Sequence, residues 1–316
     1  MIKKQALCQV CFRRNKIIFF KKPKNQKTAN IYGAIFMALS MLGYISNDTI
    51  IKYFASNLPV SQTIFIRGIF VTALIYTLCL MQKAFKQSIR KKDLPLVIIR
   101  SITDLCATIL FLTALFNMPL ANASAILQTL PLTVTLMGAI VLGEKFGVYR
   151  TFAILFGFLG ALLIIKPGAL GFNGYSLFAI AAVLFITTRE IITRRISPES
   201  STLLISLITA SSITFVGGIG GAFLQTWVEI PITTFVGLMI ASIFIFIAYY
   251  FSIPAMQFGE ISFVSPFRFT LMFWAIIFGF IFFNEVPDQL TVLGLFIVIS
   301  AGTFTYLRTD YYSNRK

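Results

Sequence analysis

Ten stretches of about twenty mostly apolar residues fill most of this chain, near 31–52, 62–82, 96–117, 121–143, 149–166, 174–193, 202–224, 232–253, 261–283 and 290–307. A helix of roughly 20 apolar residues matches the hydrocarbon thickness of a bilayer. Backbone at that depth has no water to bond, so it must close its hydrogen bonds within the segment, as a helix does. The breaks fall at turn-rich or charged sequence: Asn57-Leu58-Pro59, the Lys83 to Asp93 cluster, Asn117-Met118-Pro119, and Pro167-Gly168 through Asn173-Gly174. The expected fold is therefore all-α and integral to the membrane, with ten transmembrane helices. Composition agrees: only 12% of residues are charged and mean hydropathy is +0.85, whereas a soluble chain carries about 25% charge.

The net charge of +16 could indicate a nucleic-acid partner, but the placement of the charges argues against one. With the N-terminus in the cytoplasm and the spans alternating, 22 of the 27 Lys and Arg fall on the cytoplasmic side. They lie in the N-terminal tail, the Lys83–Lys92 loop, Lys145 and Arg150, Arg189 with Arg194 and Arg195, and Arg308, Arg315 and Lys316. Only Lys52 and Lys166 fall outside, and Arg67, Arg100 and Arg268 lie within spans. Positive charge retained on the cytoplasmic side is the usual determinant of orientation, so both termini are expected in the cytoplasm. Residues 1–30 form a basic tail suited to an anionic lipid surface; its short apolar run at Ile17–Phe20 cannot span, and no signal-peptide pattern precedes the first span.

Several chemistries are excluded or disfavoured. Histidine is absent, which removes His-based nucleophile activation and His-ligated zinc. Cys8 and Cys11 form a CxxC without further Cys or His nearby, short of a zinc ligand set; Cys79 and Cys106 lie in apolar runs and read as small buried hydrophobes. No GxxxxGK loop followed by Ser or Thr is present, so ATP hydrolysis by this chain is not expected. No cofactor or metal is expected, and a polytopic membrane enzyme is the disfavoured alternative class, because no DxxD-like carboxylate pair and no sizeable loop domain is present.

The two halves resemble each other when aligned on Glu144 and Glu285. Leu142-Gly143-Glu144 matches Phe283-Asn284-Glu285, with Ala114 and Ser124 upstream of the first and Ala255 and Ser265 at the same intervals upstream of the second. The proline is displaced, as Pro131 and Pro266 stand at different distances from their glutamates. Five spans per half is an odd number, so the second half must be inverted relative to the first. Inverted repeats with a site near the midplane are a common plan for secondary transporters. The expected division is a tail at 1–30, a first repeat at 31–167, a second at 174–307 and a C-terminal tail at 308–316.

These residues, in this order, resemble the drug/metabolite transporter superfamily of EamA-like type. The first half carries Met118-Pro119-Leu120-Ala121-Asn122-Ala123-Ser124-Ala125-Ile126, Pro131, Leu142-Gly143-Glu144, Arg150, Gly157-Phe158-Leu159-Gly160-Ala161 and Lys166-Pro167-Gly168. The second carries Ser265-Pro266-Phe267-Arg268-Phe269 and Asn284-Glu285-Val286-Pro287-Asp288. Together with Ser46-Asn47-Asp48 and Lys52-Tyr53, these are similar to bacterial S-adenosylmethionine uptake carriers, and riboflavin uptake carriers have a similar general look. The resemblance implies a multi-pass carrier of the bacterial inner membrane that moves a small polar metabolite by alternating access. Uptake of S-adenosylmethionine is the first expectation; riboflavin uptake or export of an amino acid or other metabolite is the alternative, since one fold serves many cargoes.

A charge within a span costs roughly 2.5 kcal/mol or more, so each calls for an explanation. Asp48 and Arg67 lie at comparable depth and can pair; a structural ion pair and a substrate or proton role are both open. Arg100 and Asp104 share a helical face, with Asp104 the deeper and a candidate for a cavity. Arg268 suits a carboxylate or phosphate, because a guanidinium forks onto two oxygens; an internal pair with Asp104 or Asp48 is its rival. Asn47, Gln128, Gln257 and Tyr249 can hydrogen-bond a cargo, Trp274 or Tyr249 can stack on a ring, and the Gln128–Pro131 turn can wall a site. Glu260 is expected to cap its helix, Arg189 and Glu190 to pair locally, and Glu144 and Glu285 to be structural hallmarks before functional ones. Gly217 and Gly221 form a GxxxG that permits close packing or a homodimer.

Overall fold

The computed structural model describes residues 25–55, 58–142, 148–165, 173–197, 200–224, 227–258 and 264–313. The basic N-terminal tail with Cys8 and Cys11, Glu144, Lys145, Lys166-Pro167-Gly168, Glu260, Arg315 and Lys316 lie outside these residues. So do the side chains of Arg150 and Gln257.

The described residues form α-helices and short 3-10 turns, without a strand among them. The helices are α1 (Gln26–Ala55), α2 (Val60–Met81), α3 (Leu94–Asn117), α4 (Leu120–Leu127), α5 (Leu130–Leu142), α6 (Val148–Ile165), α7 (Ser176–Arg195), α8 (Thr202–Leu224), α9 (Ile232–Phe258), α10 (Thr270–Phe283) and α11 (Gln289–Ser313). Among the described residues, seven helical stretches are long and apolar enough to cross a bilayer, and shorter apolar helices cover Leu155–Ile164, Phe267–Phe283 and Gln289–Ala301. The exterior is apolar all round: Phe152, Phe215, Phe296 and Ile232 each expose about two thirds or more of their surface. An apolar shell on that scale belongs in lipid; this is a multi-pass membrane protein.

Two of the expected spans are broken. The stretch expected at 121–143 divides into α4 and α5 at Gln128-Thr129, just before Pro131. Proline lacks the N–H that would continue the ladder and crowds the preceding turn. Thr129 Oγ1 instead donates to the Ile126 carbonyl at 2.7 Å. In the described part of the stretch expected at 261–283, a 3-10 turn, Ser265–Phe269, surrounds Pro266, and Thr270 Oγ1 donates to the Phe267 carbonyl at 2.7 Å.

Helices pack chiefly as α1 with α9, α2 with α8, α3 with α7 and α6 with α11, while α5 lies on α7 and α10 on α1. Small residues allow the closest approaches. A Cβ on Gly160 would lie 2.8 Å from the Gly294 carbonyl oxygen, and one on Gly294 2.5 Å from that of Gly160. Gly217 faces Ile64 and the Phe65 backbone of α2, so the first glycine of the GxxxG packs inside the chain. Polar side chains stitch helices together, as lipid-embedded bundles require: Ser40 to the Ala248 carbonyl (2.8 Å), Thr133 with Thr187 (2.7 Å) and Ser101 with Thr209 (3.1 Å).

Contacts at the helix ends define two faces. On one, Lys52 at the end of α1 meets Met118 between α3 and α4 and Glu285 after α10. Asn173 before α7 donates to the Asn117 carbonyl, and Gln62 in α2 donates to Val228 before α9. On the opposite face, Asp93 before α3 accepts from Ser200 Oγ before α8 (2.6 Å), and Arg195 reaches the Val141 carbonyl. The main hydrophobic cluster, including Ile51, Ile64, Leu115, Leu120, Ile126, Leu238 and Met272, fills the half nearer the first face. That face is the more closely packed of the two.

Candidate functional site

The apolar cluster gives way, toward the middle of the bundle, to a group of charged and aromatic side chains. At 1.5 Å per residue, Asp48 and Arg67 each lie about 10 Å in from the packed face. Asp104 is about 15 Å along α3 from its start at the other face. Tyr249 in α9 is within electrostatic range of Arg189, Asp104, Arg67 and Arg100, which come from three other helices, yet half of its surface is exposed. Tyr249 thus stands among charges contributed by three other helices. Tyr44, one turn before Asp48, presents its ring edge to Tyr249, centroids 5.6 Å apart at 82°.

The charges are arranged in two ways. Asp104 is closed on Arg189: Nη1 donates to Oδ1 at 2.7 Å, and Nη2 of the same guanidinium donates to Glu190 at 2.8 Å. The local Arg189–Glu190 pair is as expected; the Arg189–Asp104 pair across α3 and α7 is an addition that sequence spacing could not supply. Arg100 does not close on Asp104 but donates to Thr193 at 3.1 Å and Thr209 at 2.6 Å.

Asp48 and Arg67 lie in each other's field but form no ion pair among the described residues. Asn47, 1% exposed, donates from Nδ2 to Asp48 at 2.8 Å. The buried Asn47 Oδ1, Thr63 Oγ1 and Arg67 Nε have no hydrogen-bond partner. Arg268 is exposed and makes no ion pair with Asp104 or Asp48 among the described residues, although its charge reaches Tyr44. Gln128 is buried at the α4–α5 break, and Trp274 packs in the apolar cluster beside Phe273 and Phe278. The structure therefore brings Asn47, Asp48, Arg67, Asp104 and Tyr249 around one region and leaves Trp274 in the packing.

At the packed face, Glu285 bridges three segments. Asn284 adopts the left-handed conformation (φ 53°), which asparagine tolerates better than most residues, and this turns the chain after α10 so that Glu285 points back. Its Oε1 meets Lys52 Nζ at 2.5 Å, and its Oε2 accepts the Leu120 N–H at 2.6 Å. Lys52 also donates to the Met118 carbonyl at 2.8 Å and lies 4.7 Å from the Phe283 ring centroid. In sequence, Lys52 shares a helical face with Asp48, four residues earlier, but nothing points to Glu285, which lies in the other half of the chain.

Residues 31–166 match the EamA-like transporter family. Similar proteins align over nearly their whole length. A pseudopaline exporter of Pseudomonas aeruginosa is 23% identical over 85% of this chain and 94% of its own. A riboflavin transporter of Vibrio cholerae is 25% identical over 87% and 92%, and an S-adenosylmethionine uptake transporter of Rickettsia prowazekii 23% identical over 86% and 91%. The first half of the chain thus carries an EamA-like segment, and its relatives are named as transporters. A crystal structure of another protein, 14% identical, superposes with a TM-score of 0.60 over 90% of this chain and 99% of that one, which speaks to the fold alone. The matched EamA-like segment holds Asp48, Arg67 and Asp104, while Arg189, Tyr249 and Arg268 come from beyond it. The charged cluster thus draws on residues from the whole chain, and the EamA-like match with the transporter names of the relatives points to a transporter.

Proposed function

We propose that this protein is a secondary carrier that moves a small polar organic metabolite across a bacterial inner membrane by alternating access. The observation that carries the reading is a cluster of charged side chains at membrane depth, contributed by helices from both halves of an otherwise apolar chain. Charges at membrane depth are costly and mark transport pathways. With the basic loops in the cytoplasm, the Lys52–Glu285 face is external, both termini are cytoplasmic, and the protein is in an inward-facing state.

Ten spans in two inverted five-helix halves, 31–167 and 174–307, are the arrangement we infer. The break in each half bears the same hydrogen bond, Thr129 to Ile126 and Thr270 to Phe267, separated by the same interval as Glu144 and Glu285. Exchanging the halves also preserves the packing: α1 with α9 becomes α7 with α3, α5 with α7 becomes α10 with α1, and the pairs α2–α8 and α6–α11 map onto themselves. Rocking of one half against the other is the motion such symmetry supports. The Lys52–Glu285 contact is then the external gate.

S-adenosylmethionine uptake is the leading assignment, with riboflavin uptake or metabolite export as the alternative; relatives bearing each kind of name align over most of the chain. The test is uptake into proteoliposomes of labelled S-adenosylmethionine, riboflavin and amino acids by the purified full chain. Saturable movement of one solute, abolished by crosslinking α1 to α10 at the external gate, is expected. Movement that survives the crosslink would exclude alternating access through this gate.

A further inference from the structure

The Asp48–Arg67 gap is unusual among the described residues. There, the other two close partnerships of opposite charge between helices or helix ends, Lys52 with Glu285 and Asp104 with Arg189, are in hydrogen-bond contact. Asp48 and Arg67 are at the same depth, on helices that both pack against α9, and feel each other's charge. They nevertheless stand apart. Closing the gap would gain a charge-assisted hydrogen bond where such bonds are strong, so a site that holds the two charges apart is shaped for something between them.

The surrounding polar atoms show what kind of group that is. Arg67 makes no side-chain hydrogen bond among the described residues, and its Nε is a buried donor without an acceptor. Asn47 Oδ1 is a buried acceptor without a donor, and Asn47 Nδ2 holds one Asp48 oxygen in place. The site thus offers a fork of donors on one side and a row of acceptors on the other. An anion alone would satisfy Arg67 and leave Asp48 unpaired; a cation alone would do the reverse; a neutral solute would satisfy neither. A carboxylate and an ammonium on one carbon satisfy both with no net charge. Tyr44, one turn further in, and the half-exposed Tyr249 provide an aromatic shelf for whatever the head carries. The Asp104–Arg189 pair beyond them is already satisfied and does not compete for the head.

We propose that Asp48 and Arg67 form a receptor for the amino-acid head group of the cargo: the carboxylate on the Arg67 guanidinium, the ammonium on Asp48, and the remainder along Tyr44 and Tyr249. This deepens the carrier reading and rests on it for the route, not for the binding. It selects among the assignments above, since S-adenosylmethionine has such a head and riboflavin has neither charged group.

The experiment measures ligand-induced stabilisation of the full chain in detergent with S-adenosylmethionine, methionine and phenylalanine, together with phenethylamine and phenylpropionate, which each lack one charge, and riboflavin. At least one amino-acid-headed compound should bind, with the single-charge analogues weaker by about tenfold or more. Asp48→Asn should abolish the preference over the carboxylate-only analogue, and Arg67→Gln the preference over the amine. Conservative Asp48→Glu and Arg67→Lys forms should restore part of each. Equal binding of the single-charge analogues, binding of riboflavin alone, or no binding of any amino-acid-headed compound would overturn the proposal. These wild-type results decide it even where a variant does not fold. A ligand that binds as expected but is not moved in proteoliposomes would refute the carrier reading and leave the receptor standing.

Discussion

Removing Lys52 tests how the Lys52–Glu285 face is held. Its Nζ contacts Glu285 Oε1, the Met118 carbonyl and the Phe283 ring, and the two charged side chains are only 10% and 20% exposed. Lys52→Met keeps the length and apolar stem but leaves the Glu285 carboxylate without its cation. Breaking one side of such a buried pair costs about 3 kcal/mol or slightly more. Glu285→Gln should cost less, about 2 kcal/mol, because Lys52 keeps the Met118 carbonyl and the amide oxygen still accepts from Leu120. In the double variant the amide can donate to Met118 while accepting from Leu120, so no charge is stranded and the total should stay near 2–3 kcal/mol. The resulting coupling is about 2–3 kcal/mol, within the range for directly contacting groups. Reversible unfolding of the four proteins in mixed micelles, followed by circular dichroism, gives the cycle. Losses that add to within about 0.5 kcal/mol would refute the coupled gate. A weakened gate also shifts the population of states, so a cysteine at Tyr53 should react faster with an impermeant maleimide from outside in the double variant.

Three further outcomes follow from the packing and charge placement. Arg189→Ala strands Asp104 and should destabilise by about 3 kcal/mol, whereas Arg189→Lys should lose only about 1 kcal/mol because an ammonium lacks the fork that holds both Asp104 and Glu190; the same micelle assay reads both. Gly294→Ala should cost about 1–3 kcal/mol through overpacking of α6 against α11, while Gly220→Ala, whose added carbon would meet nothing nearer than 3.7 Å, should be neutral. In a cysteine-free background, a cysteine at Tyr175 should label in intact cells with an impermeant reagent and one at Gln87 should not; the reverse pattern would invert the orientation argued from positive charge.

Much of the fold was legible because bilayer physics leaves few options. The Thr202–Leu224 helix begins and ends as its apolar run does, and most other helices lie within a few residues of theirs. The breaks before and around Pro131 and Pro266 were less legible. A proline signals that the ladder is interrupted but not whether the result is a kink or two helices, which depends on what neighbours satisfy the freed groups. Trp274 illustrates the limit for the site. An aromatic in an apolar helix looks the same whether it faces a cargo or the packing, and only its neighbours in the bundle decide.

The sequence by itself determined that this is a helical membrane protein, which residues carry charge at depth, and which segments resemble each other. Those properties follow from local length, polarity and spacing. The tertiary structure alone decided the partners: Lys52 with Glu285, Asp104 with Arg189, and the open gap between Asp48 and Arg67. Each joins helices far apart in the chain. The energy of a charge within a membrane depends on what lies within a few ångströms of it, and that distance has no counterpart in sequence separation.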